Sequence, residues 1–368
     1  MIKYLGSKRL LLDQLLGLVR PMRELRSVLD LFSGTSRVGH ALKRAGYRVV
    51  SNDHNAYALA LARCYVAADR ARVLPAVERL VCELDALPGA PGYFTETFCE
   101  RARFFQPKNG ARVDAIRDAI AKKSLDPLTE AVLLVSLMEA ADRVDSTCGL
   151  QMAYLKEWAP RAHNELRLRV PDVLPAVDAG PCEAHQLDAE EAASRLRADV
   201  AYLDPPYNQH SYLSNYHVWE TLVRWDAPAH YGVACKREDC RTRKSAFNRR
   251  GESLAALTRV VAAVDARLLV VSFNDEGFLS REQLEALLAT RGDVRVLCHD
   301  FKRYVGAQIG VFNPKGERVG RVSHLRNREL VYVVATERAR ETPAVRDAVL
   351  ALQETAPRQL GFSGFSDG

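Results

Sequence analysis

The chain has 368 residues, enough for one large domain or two, and its 48% hydrophobic and 27% charged content is that of a globular protein. The net charge of +6 favours a polyanionic partner without requiring one. The first residues carry no apolar signal segment, and no apolar run approaches the roughly 20 residues of a membrane helix. We therefore expect a cytoplasmic protein with no membrane partner.

The eight cysteines are scattered along the chain, which predicts reduced thiols rather than a disulfide framework. Cys235 and Cys240 are the only close pair, with His230 nearby. Because no second pair with ligand spacing follows, zinc is the weaker interpretation and we predict no metal site.

After the polar N-terminal segment, the chain up to residue 69 follows the pattern of a parallel α/β sheet. The predicted elements are strand 27–32, a turn of small residues at 33–36, helix 37–45, strand 47–51 ending at Asn52-Asp53, and helix 55–68. Strand, tight turn, helix and strand make a βαβ unit, so we predict a Rossmann-like α/β fold.

From about residue 70 to residue 180 the pattern is helical, without a convincing strand. The predicted helices are 72–85, 95–104, 112–122, 126–141 and 150–163. We therefore predict a helical insertion on the sheet. The polar segment 142–149 is expected to be a simple turn between the last two helices, the alternative being a loop that enters a substrate groove.

The α/β pattern resumes after residue 180, so residues 1–69 and 181–336 are predicted to form one discontinuous domain. Residues 337–368 are expected to be a C-terminal helix and a frayed tail. The predicted elements are helix 189–197, strand 199–203, helices 214–224 and 252–265, strand 267–273, helix 280–290, and strands 293–299 and 329–335.

The segment Asp204-Pro205-Pro206-Tyr207 closes the apolar strand 199–203. A strand cannot continue through two prolines, so one carboxylate and one aromatic ring are held on a stiff corner. Asp204 and a neighbouring carbonyl can accept hydrogen bonds from an exocyclic amine, and Tyr207 can stack on a flat ring. The alternative is a Pro-rich exit turn that contains an Asp by chance.

A nucleoside site is predicted where the first strand meets the turn Ser33-Gly34-Thr35-Ser36, because ligands bind at the carboxyl ends of parallel strands. Asp53 follows Asp30 by 23 residues, an offset at which an acid commonly binds a ribose. Neither a phosphate loop nor G-x-G-x-x-G is present. Acids without a phosphate cradle suit a nucleoside that carries a cation, as S-adenosylmethionine does. The alternative is a plain Rossmann-like turn with a solvated Asp53.

Residues 235–250 form a basic loop just past the Pro-Pro corner, with seven cations against two acids. Such a loop can grip the phosphates of a nucleic acid, and the equally weighted alternative is an ordinary solvated loop. The candidate phosphate contacts are Lys236, Arg237, Arg241, Arg243, Lys244, Arg249 and Arg250.

Together these segments resemble the Dam-type (alpha-group) adenine-N6 DNA methyltransferases, over most of residues 1–336. Their N-terminal motif X is similar to Lys3-Tyr4-Leu5-Gly6-Ser7-Lys8, and their motif I is similar to residues 30–34. Their motif II is similar to Asn52-Asp53, and their catalytic DPPY motif IV is similar to Asp204-Pro205-Pro206-Tyr207. A later sheet motif is similar to residues 270–274. In that group the target-recognition region lies between motifs I and IV, as residues 70–180 do here.

The resemblance implies an S-adenosyl-L-methionine-dependent, site-specific methyltransferase acting on adenine N6 in double-stranded DNA, by base flipping and without a metal. The implied catalytic residues are Asp204, Pro205, Pro206 and Tyr207, and the implied cofactor-binding residues are Tyr4, Lys8, Asp30, Phe32, Gly34, Asp53 and Asp204. Ser36 departs from the usual glycine of the group, which puts cofactor affinity in question. A cognate restriction endonuclease is an implied partner; the recognition sequence and oligomeric state are not implied.

Two other functions fit parts of the sequence. The same fold could methylate RNA or a protein amide, but the N-terminal motif and the long insertion argue against this. A catalytically silent nucleic-acid-binding protein is the other alternative, and the presence of Asp204, Asp53 and Lys8 argues against it. Calorimetric binding of S-adenosylmethionine would separate the silent protein from the enzymes.

Overall fold

The computed structural model describes residues 1–4, 8–302, 311–312, 318–320 and 326–352. The centre of the predicted N-terminal motif, residues 5–7, and the predicted tail from residue 353 onward lie outside the described residues.

A seven-stranded sheet forms the centre of the fold, in the order β3-β2-β1-β4-β5-β7-β6. The strands β1 to β5 run parallel, and β7 is antiparallel to both of its neighbours. The predicted Rossmann-like sheet is confirmed, and β3 is an edge strand that the sequence did not predict. The strands are β1 Ser27–Asp30, β2 Arg48–Asn52, β3 Glu183–His185, β4 Val200–Leu203, β5 Leu268–Asn274, β6 Gly292–Lys302 and β7 Arg326–Thr336.

Helices cover both faces of the sheet. They are α1 Leu12–Val19, α2 Arg37–Arg44, α3 Ala56–Ala62, α4 Arg70–Asp85, α5 Tyr93–Thr95, α6 Pro107–Ala121, α7 Pro127–Arg143, α8 Ala189–Arg195, α9 Tyr212–Asn215, α10 His217–Arg224, α11 Ser253–Ala263, α12 Arg281–Ala289 and α13 Pro343–Leu350. Within the described part of the chain, none is long and apolar enough to cross a lipid bilayer.

The central strands are apolar on both faces because a hydrophobic cluster lies on each side of them. All seven residues of β5 are buried, as are all four of β4. Alternate residues face opposite ways, so Leu269 and Val271 pack with α8, α11 and α12, whereas Leu268 and Val270 pack with α1, α2 and α13. This two-sided burial fixes the strand register and, with it, the residue at which each strand ends.

The chain reverses its direction of travel across the sheet between β1 and β4. Successive strands β1, β2 and β3 move one way, and β4 returns to lie on the other side of β1. Asp30, the last residue of β1, pairs with Ser51 of β2 and with Tyr202 of β4. The ends of these strands therefore meet at one edge, at the switch point where α/β proteins bind ligands.

The insertion packs against the sheet domain instead of forming a separate core. Side chains of α4 and α7, such as Val77 and Val132, belong to the same buried cluster as Tyr57 of α3 and Trp219 of α10. Arg117 of α6 adds a polar link, since its guanidinium donates hydrogen bonds to the carbonyls of Leu222 and Val223. The insertion is thus anchored to the helix that follows the Pro-Pro corner.

The prediction of a helix at 150–163 is wrong. Within that range only Pro160–His163 is helical, as a 3-10 turn. Its backbone groups bond elsewhere: the Gln151 amide donates to the Asn215 carbonyl at 2.8 Å, and the Leu155 amide to the Ser146 carbonyl at 3.0 Å. The segment 142–149 is therefore not a turn between two helices. Its Asp145 instead accepts a hydrogen bond from Lys3 at 2.7 Å, which ties this loop to the N-terminal segment.

Candidate active site

A cavity of about 310 Å³ opens at the carboxyl edge of β1, β2 and β4. The structure brings together in its walls the residues that the sequence predicted to bind a cofactor: Tyr4, Lys8, Asp30, Phe32, Gly34, Asp53 and Asp204. The walls also include the turn after β1, residues 187–189 after β3, and residues 242–248 of the basic loop.

The turn after β1 requires glycine at position 34. Gly34 has a φ of +49°, and a Cβ added there would lie 3.3 Å from the Tyr4 hydroxyl. Its amide donates a hydrogen bond to Asp53 Oδ2 at 3.0 Å, while Asp53 Oδ1 accepts from the Asn55 amide at 2.9 Å. Burial raises the pKa of Asp53, and these hydrogen bonds oppose the rise. The carboxylate is therefore held in one orientation at the cavity wall.

Tyr4 is clamped by aromatic rings that follow the Pro-Pro corner. Its ring stacks on Tyr216 at 4.4 Å and on Tyr212 at 5.2 Å between centroids, and its hydroxyl lies 3.2 Å from that of Tyr57. Tyr216 and Trp219 are buried, and Tyr212 lines the cavity. The stack fixes the N-terminal segment over the sheet edge.

One end of the cavity is apolar. Phe32 meets Phe247 of the basic loop edge to face at 5.2 Å, and Leu187 and Ala189 lie in the same wall. Sequence analysis did not single out Leu187 or Phe247. Leu187 follows the unpredicted strand β3, and Phe247 is the one aromatic residue of the basic segment, which was the available signal.

The other end carries a cluster of buried charges. The Lys8 ammonium lies 3.0 Å from Asp204 Oδ1 and also forms an ion pair with Glu329. Burial raises the pKa of Asp204 to about 6, although Lys8 opposes the rise. Burial and the nearby charge of Asp204 raise the pKa of Asp30 to about 7. When ionised, these acids outnumber the ammonium, so this end favours a cationic ligand.

Two buried hydroxyls in the cavity wall have no hydrogen-bond partner among the described residues. They are Ser33 Oγ and the Tyr202 hydroxyl, and Tyr202 is 3% exposed. Buried polar atoms of this kind are normally satisfied.

The Pro-Pro corner is stiff and directs its aromatic ring to a separate contact. Tyr207 packs on Phe273 with ring centroids 6.0 Å apart, and its carbonyl accepts a hydrogen bond from the Phe278 amide at 2.8 Å. Asp204 and Pro206 line the cavity, and Pro205 is buried beneath them. Tyr207 itself does not line the cavity.

The basic loop differs from its prediction at two positions. Arg237 is 2% exposed and donates two hydrogen bonds to Asp226, at 2.6 and 2.7 Å, and others to Asp239, so it is not available to phosphates. Arg243 donates to Glu220 at 3.1 Å and lines the cavity. The burial of Arg237 contradicts its prediction as a DNA contact, and the ion pairs of Arg243 favour a structural role. Through Asp226 and Glu220, which lie outside the loop, the two arginines fasten the loop to the rest of the fold.

The other five cations of the loop remain predicted phosphate contacts. Arg241 stacks on Tyr231 and Arg250 on Phe278, with both guanidinium groups reaching the surface. The remaining three are the half-buried Lys236 and the exposed Lys244 and Arg249. Within the described ranges, no group of three or more His, Cys, Asp or Glu side chains is placed to hold a metal ion.

The sheet order, the acids at the ends of β1, β2 and β4, and the cavity between them agree with the fold of the S-adenosylmethionine-dependent methyltransferases. The profile of the D12 class N6 adenine-specific DNA methyltransferases matches residues 4–287, and the chain belongs to this family. The resemblance noted from the motifs is thereby confirmed.

Three relatives illustrate the similarity. The modification methylase StsI of Streptococcus sanguinis is 29% identical over 78% of this chain and 46% of its own length. The type II methyltransferase M.NlaIII of Neisseria lactamica is 27% identical over 75% of this chain and 83% of its own. M.CviAII of Paramecium bursaria Chlorella virus 1 is 28% identical over 82% and 92%. The chain thus spans about half the length of StsI and most of the other two.

Ser36 offers a test of local strain. It has a φ of +58°, a left-handed conformation that costs a non-glycine residue roughly 1 kcal/mol, and its hydroxyl is fully buried without a described partner. Ser36→Gly should stabilise the protein by up to about 1 kcal/mol in urea unfolding. Because the side chain does not line the cavity, cofactor affinity measured by calorimetry should not change.

Ser36→Ala is the matched control, since it removes the hydroxyl but keeps the left-handed strain. If Ser36→Gly unfolds at lower urea than Ser36→Ala, the backbone there is not strained and the argument fails.

Arg237→Met should destabilise the protein without changing how folded protein binds DNA. Removing one partner of a buried ion pair typically costs 3–5 kcal/mol, and we expect about 2 kcal/mol because Asp226 and Asp239 are 31% and 27% exposed. Urea unfolding measures the loss, and Lys244→Ala, at an exposed cation of the same loop, is the control with unchanged stability. Wild-type stability combined with a shallower salt dependence of DNA binding would restore Arg237 as a phosphate contact.

Proposed function

We propose that the protein is a site-specific DNA methyltransferase that transfers a methyl group from S-adenosyl-L-methionine to the exocyclic N6 amine of adenine in double-stranded DNA. The observation that carries the proposal is Asp204, which stands at the end of β4 in the wall of a cavity for a cationic nucleoside and begins the stiff corner that holds Tyr207. Family membership supports the same reaction.

The residues in the cavity suit S-adenosylmethionine. Asp53 is oriented for the ribose, with two oxygens that each have more than one acceptor position. The apolar end with Phe32 and Phe247 suits the adenine ring, and the acidic end suits the charged methionine group. When bound, the cofactor supplies an electrophilic methyl group on its sulfonium.

Asp204 makes the target amine a better nucleophile. The lone pair of an adenine amine is delocalised into the ring, so the amine attacks poorly. Hydrogen bonds from its N–H groups to Asp204 and to the Pro205 carbonyl favour a tetrahedral nitrogen, and positioning with fixed charges supplies the remaining acceleration. The amine gains a methyl group and gives up one proton.

The base reaches this corner only after it leaves the DNA stack. Extrusion costs a few kcal/mol, part of which stacking on Tyr207 would offset. We propose that the exposed cations Arg241, Lys244, Arg249 and Arg250, together with Lys236, hold the DNA backbone, and that the insertion 70–180 reads the sequence. The cytoplasmic location and a cognate restriction endonuclease also belong to the proposal.

Asp204→Ala should lower methyl transfer by roughly 100- to 1000-fold, the loss typical of removing one group that stabilises a transition state. The measurement is incorporation of tritiated methyl groups into DNA, followed by sequencing that detects N6-methyladenine and its context. Cys82→Ser, at an exposed cysteine of α4, is the control for handling. Turnover by Asp204→Ala at the wild-type rate would overturn the assignment.

Affinity for S-adenosylmethionine should weaken as the pH falls from 8 to 5.5. Asp204 and Asp30, with pKa values raised to about 6 and about 7, take up protons in this range and lose the charge that attracts a sulfonium. A lost charge-assisted contact is worth about 1.5 kcal/mol, so we expect a roughly tenfold rise in Kd by calorimetry.

S-adenosylhomocysteine, which lacks the sulfonium charge, is the matched ligand and should bind with a smaller pH dependence. Equal pH dependence for the two ligands would show that the acids do not sense the sulfonium.

A further inference from the structure

Glu329 is a buried carboxylate beside the candidate active site that the sequence did not single out. It lies near the start of β7 and is 5% exposed. Because β7 is antiparallel to β5, its start lies at the carboxyl edge of the sheet, where Glu329 pairs with Asn274. The Glu329 carboxylate accepts hydrogen bonds from Lys8 and from the Ser272 hydroxyl, the latter at 2.5 Å.

We infer that Glu329 is a positioning residue for methyl transfer, which acts through Lys8 on Asp204. The inference rests on the proposed function. The Lys8 ammonium forms ion pairs with both Asp204 and Glu329. It contacts Asp204 through one oxygen, Oδ1, at 3.0 Å. The second oxygen of the Asp204 carboxylate is then left to accept a hydrogen bond from the target amine. Glu329 thus keeps Lys8 from turning wholly toward Asp204 and competing with the substrate.

Glu329 also sets the charge of the cluster. One ammonium between two carboxylates leaves a net charge of minus one beside the position of a cationic methyl donor. With Glu329 neutralised, Lys8 and Asp204 would cancel, and the electrostatic preference for the sulfonium at this end would weaken. The cluster therefore depends on a carboxylate that does not line the cavity.

The effect on Asp204 has a definite sign. Burial raises the pKa of Asp204, Lys8 lowers it, and the negative charge of Glu329 raises it further. Burial would lower the pKa of Lys8, but Asp204 and Glu329 outweigh burial and raise it, so Lys8 stays charged at neutral pH. Removing the charge of Glu329 should therefore lower the pKa of Asp204.

Other titratable groups face Asp204 from the elements around it. Asp30 of β1 has a raised pKa of about 7 and titrates in the same range as Asp204, but Glu329 is not among the causes of its shift. The neighbouring tyrosines stay neutral at neutral pH because burial raises the pKa of each one. They are Tyr202 of β4, Tyr207 of the Pro-Pro corner and Tyr212 of α9. A shift caused by Glu329 therefore reports on Asp204.

The test is the pH profile of single-turnover methyl transfer between pH 5 and 9, with saturating tritiated S-adenosylmethionine and duplex DNA. The rate should fall at acidic pH as Asp204 takes up a proton. In Glu329→Gln, the acid limb should move to lower pH by roughly one unit, the smaller end of the effect of one close charge. The rate at neutral pH should fall roughly tenfold, because Lys8 then competes for Asp204.

Ser272→Ala is the matched control, because it removes a hydrogen bond from Glu329 but keeps its charge. Its acid limb should stay at the wild-type position. A Glu329→Gln enzyme that is slower at every pH, with the wild-type limb, would overturn the inference and leave Glu329 a structural residue. A wild-type protein that labels no DNA would instead overturn the proposed function, and this inference with it.

If Glu329→Gln does not fold, a double variant is measured in its place. In Lys8→Gln combined with Glu329→Gln, the buried ammonium and carboxylate of this pair are removed together, and Asp204 loses Lys8 just as it does in Lys8→Gln alone. The comparison is therefore with Lys8→Gln alone. Because the charge of Glu329 also acts on Asp204 directly, the double variant should show the lower acid limb. Identical limbs would overturn the charge effect of Glu329 on Asp204, on which the inference depends.

Discussion

The burial of one ammonium between two carboxylates is the constraint on which the site depends. Lys8 comes from the N-terminal segment, Asp204 from the end of β4 and Glu329 from the start of β7. A buried charge without its partner costs several kcal/mol, so these three distant parts of the chain are stable only when they meet. The antiparallel direction of β7 brings Glu329 to the edge where the parallel strands end. The same interaction therefore holds these three parts of the fold together and sets the charge of the site.

The N-terminal segment is fixed by packing as well as by charge. Tyr4 stacks on Tyr212 and Tyr216, which follow the Pro-Pro corner, and its hydroxyl would lie 3.3 Å from a Cβ added at position 34, a close contact. Lys3 ties the same segment to Asp145 of the insertion. One short stretch of chain thus contacts the turn after β1, the segment that follows the Pro-Pro corner and the region predicted to read DNA.

Much of the sheet could be predicted because it is encoded locally. The apolar runs of β1, β2, β4 and β5 end at acids or prolines, and the carboxyl ends of parallel strands share an edge, so Asp30, Asp53 and Asp204 could be placed together. Glu329 could not, because its position follows from the antiparallel pairing of β7. Arg237 was misassigned because its partner Asp226 lies outside the basic run. The prediction of a helix at 150–163 was wrong because backbone groups of this segment bond to other segments of the chain, which a helical sequence pattern does not reveal.

The basic loop contacts both the cavity and the Pro-Pro corner. Residues 242–248 form a wall of the cavity, and the Asn248 amide donates hydrogen bonds to the carbonyls of Asn208 and His210, at 2.8 and 3.2 Å. Asn208 follows Tyr207 directly and His210 lies two residues further on, so the segment that walls the cavity also contacts the chain just after the Pro-Pro corner. In the proposed reaction the donor loses its sulfonium charge when the methyl group leaves. The acidic end of the cavity then faces a neutral sulfur, and the electrostatic attraction that favoured the donor no longer holds the product. The same buried charges that support binding and transfer would therefore also favour release.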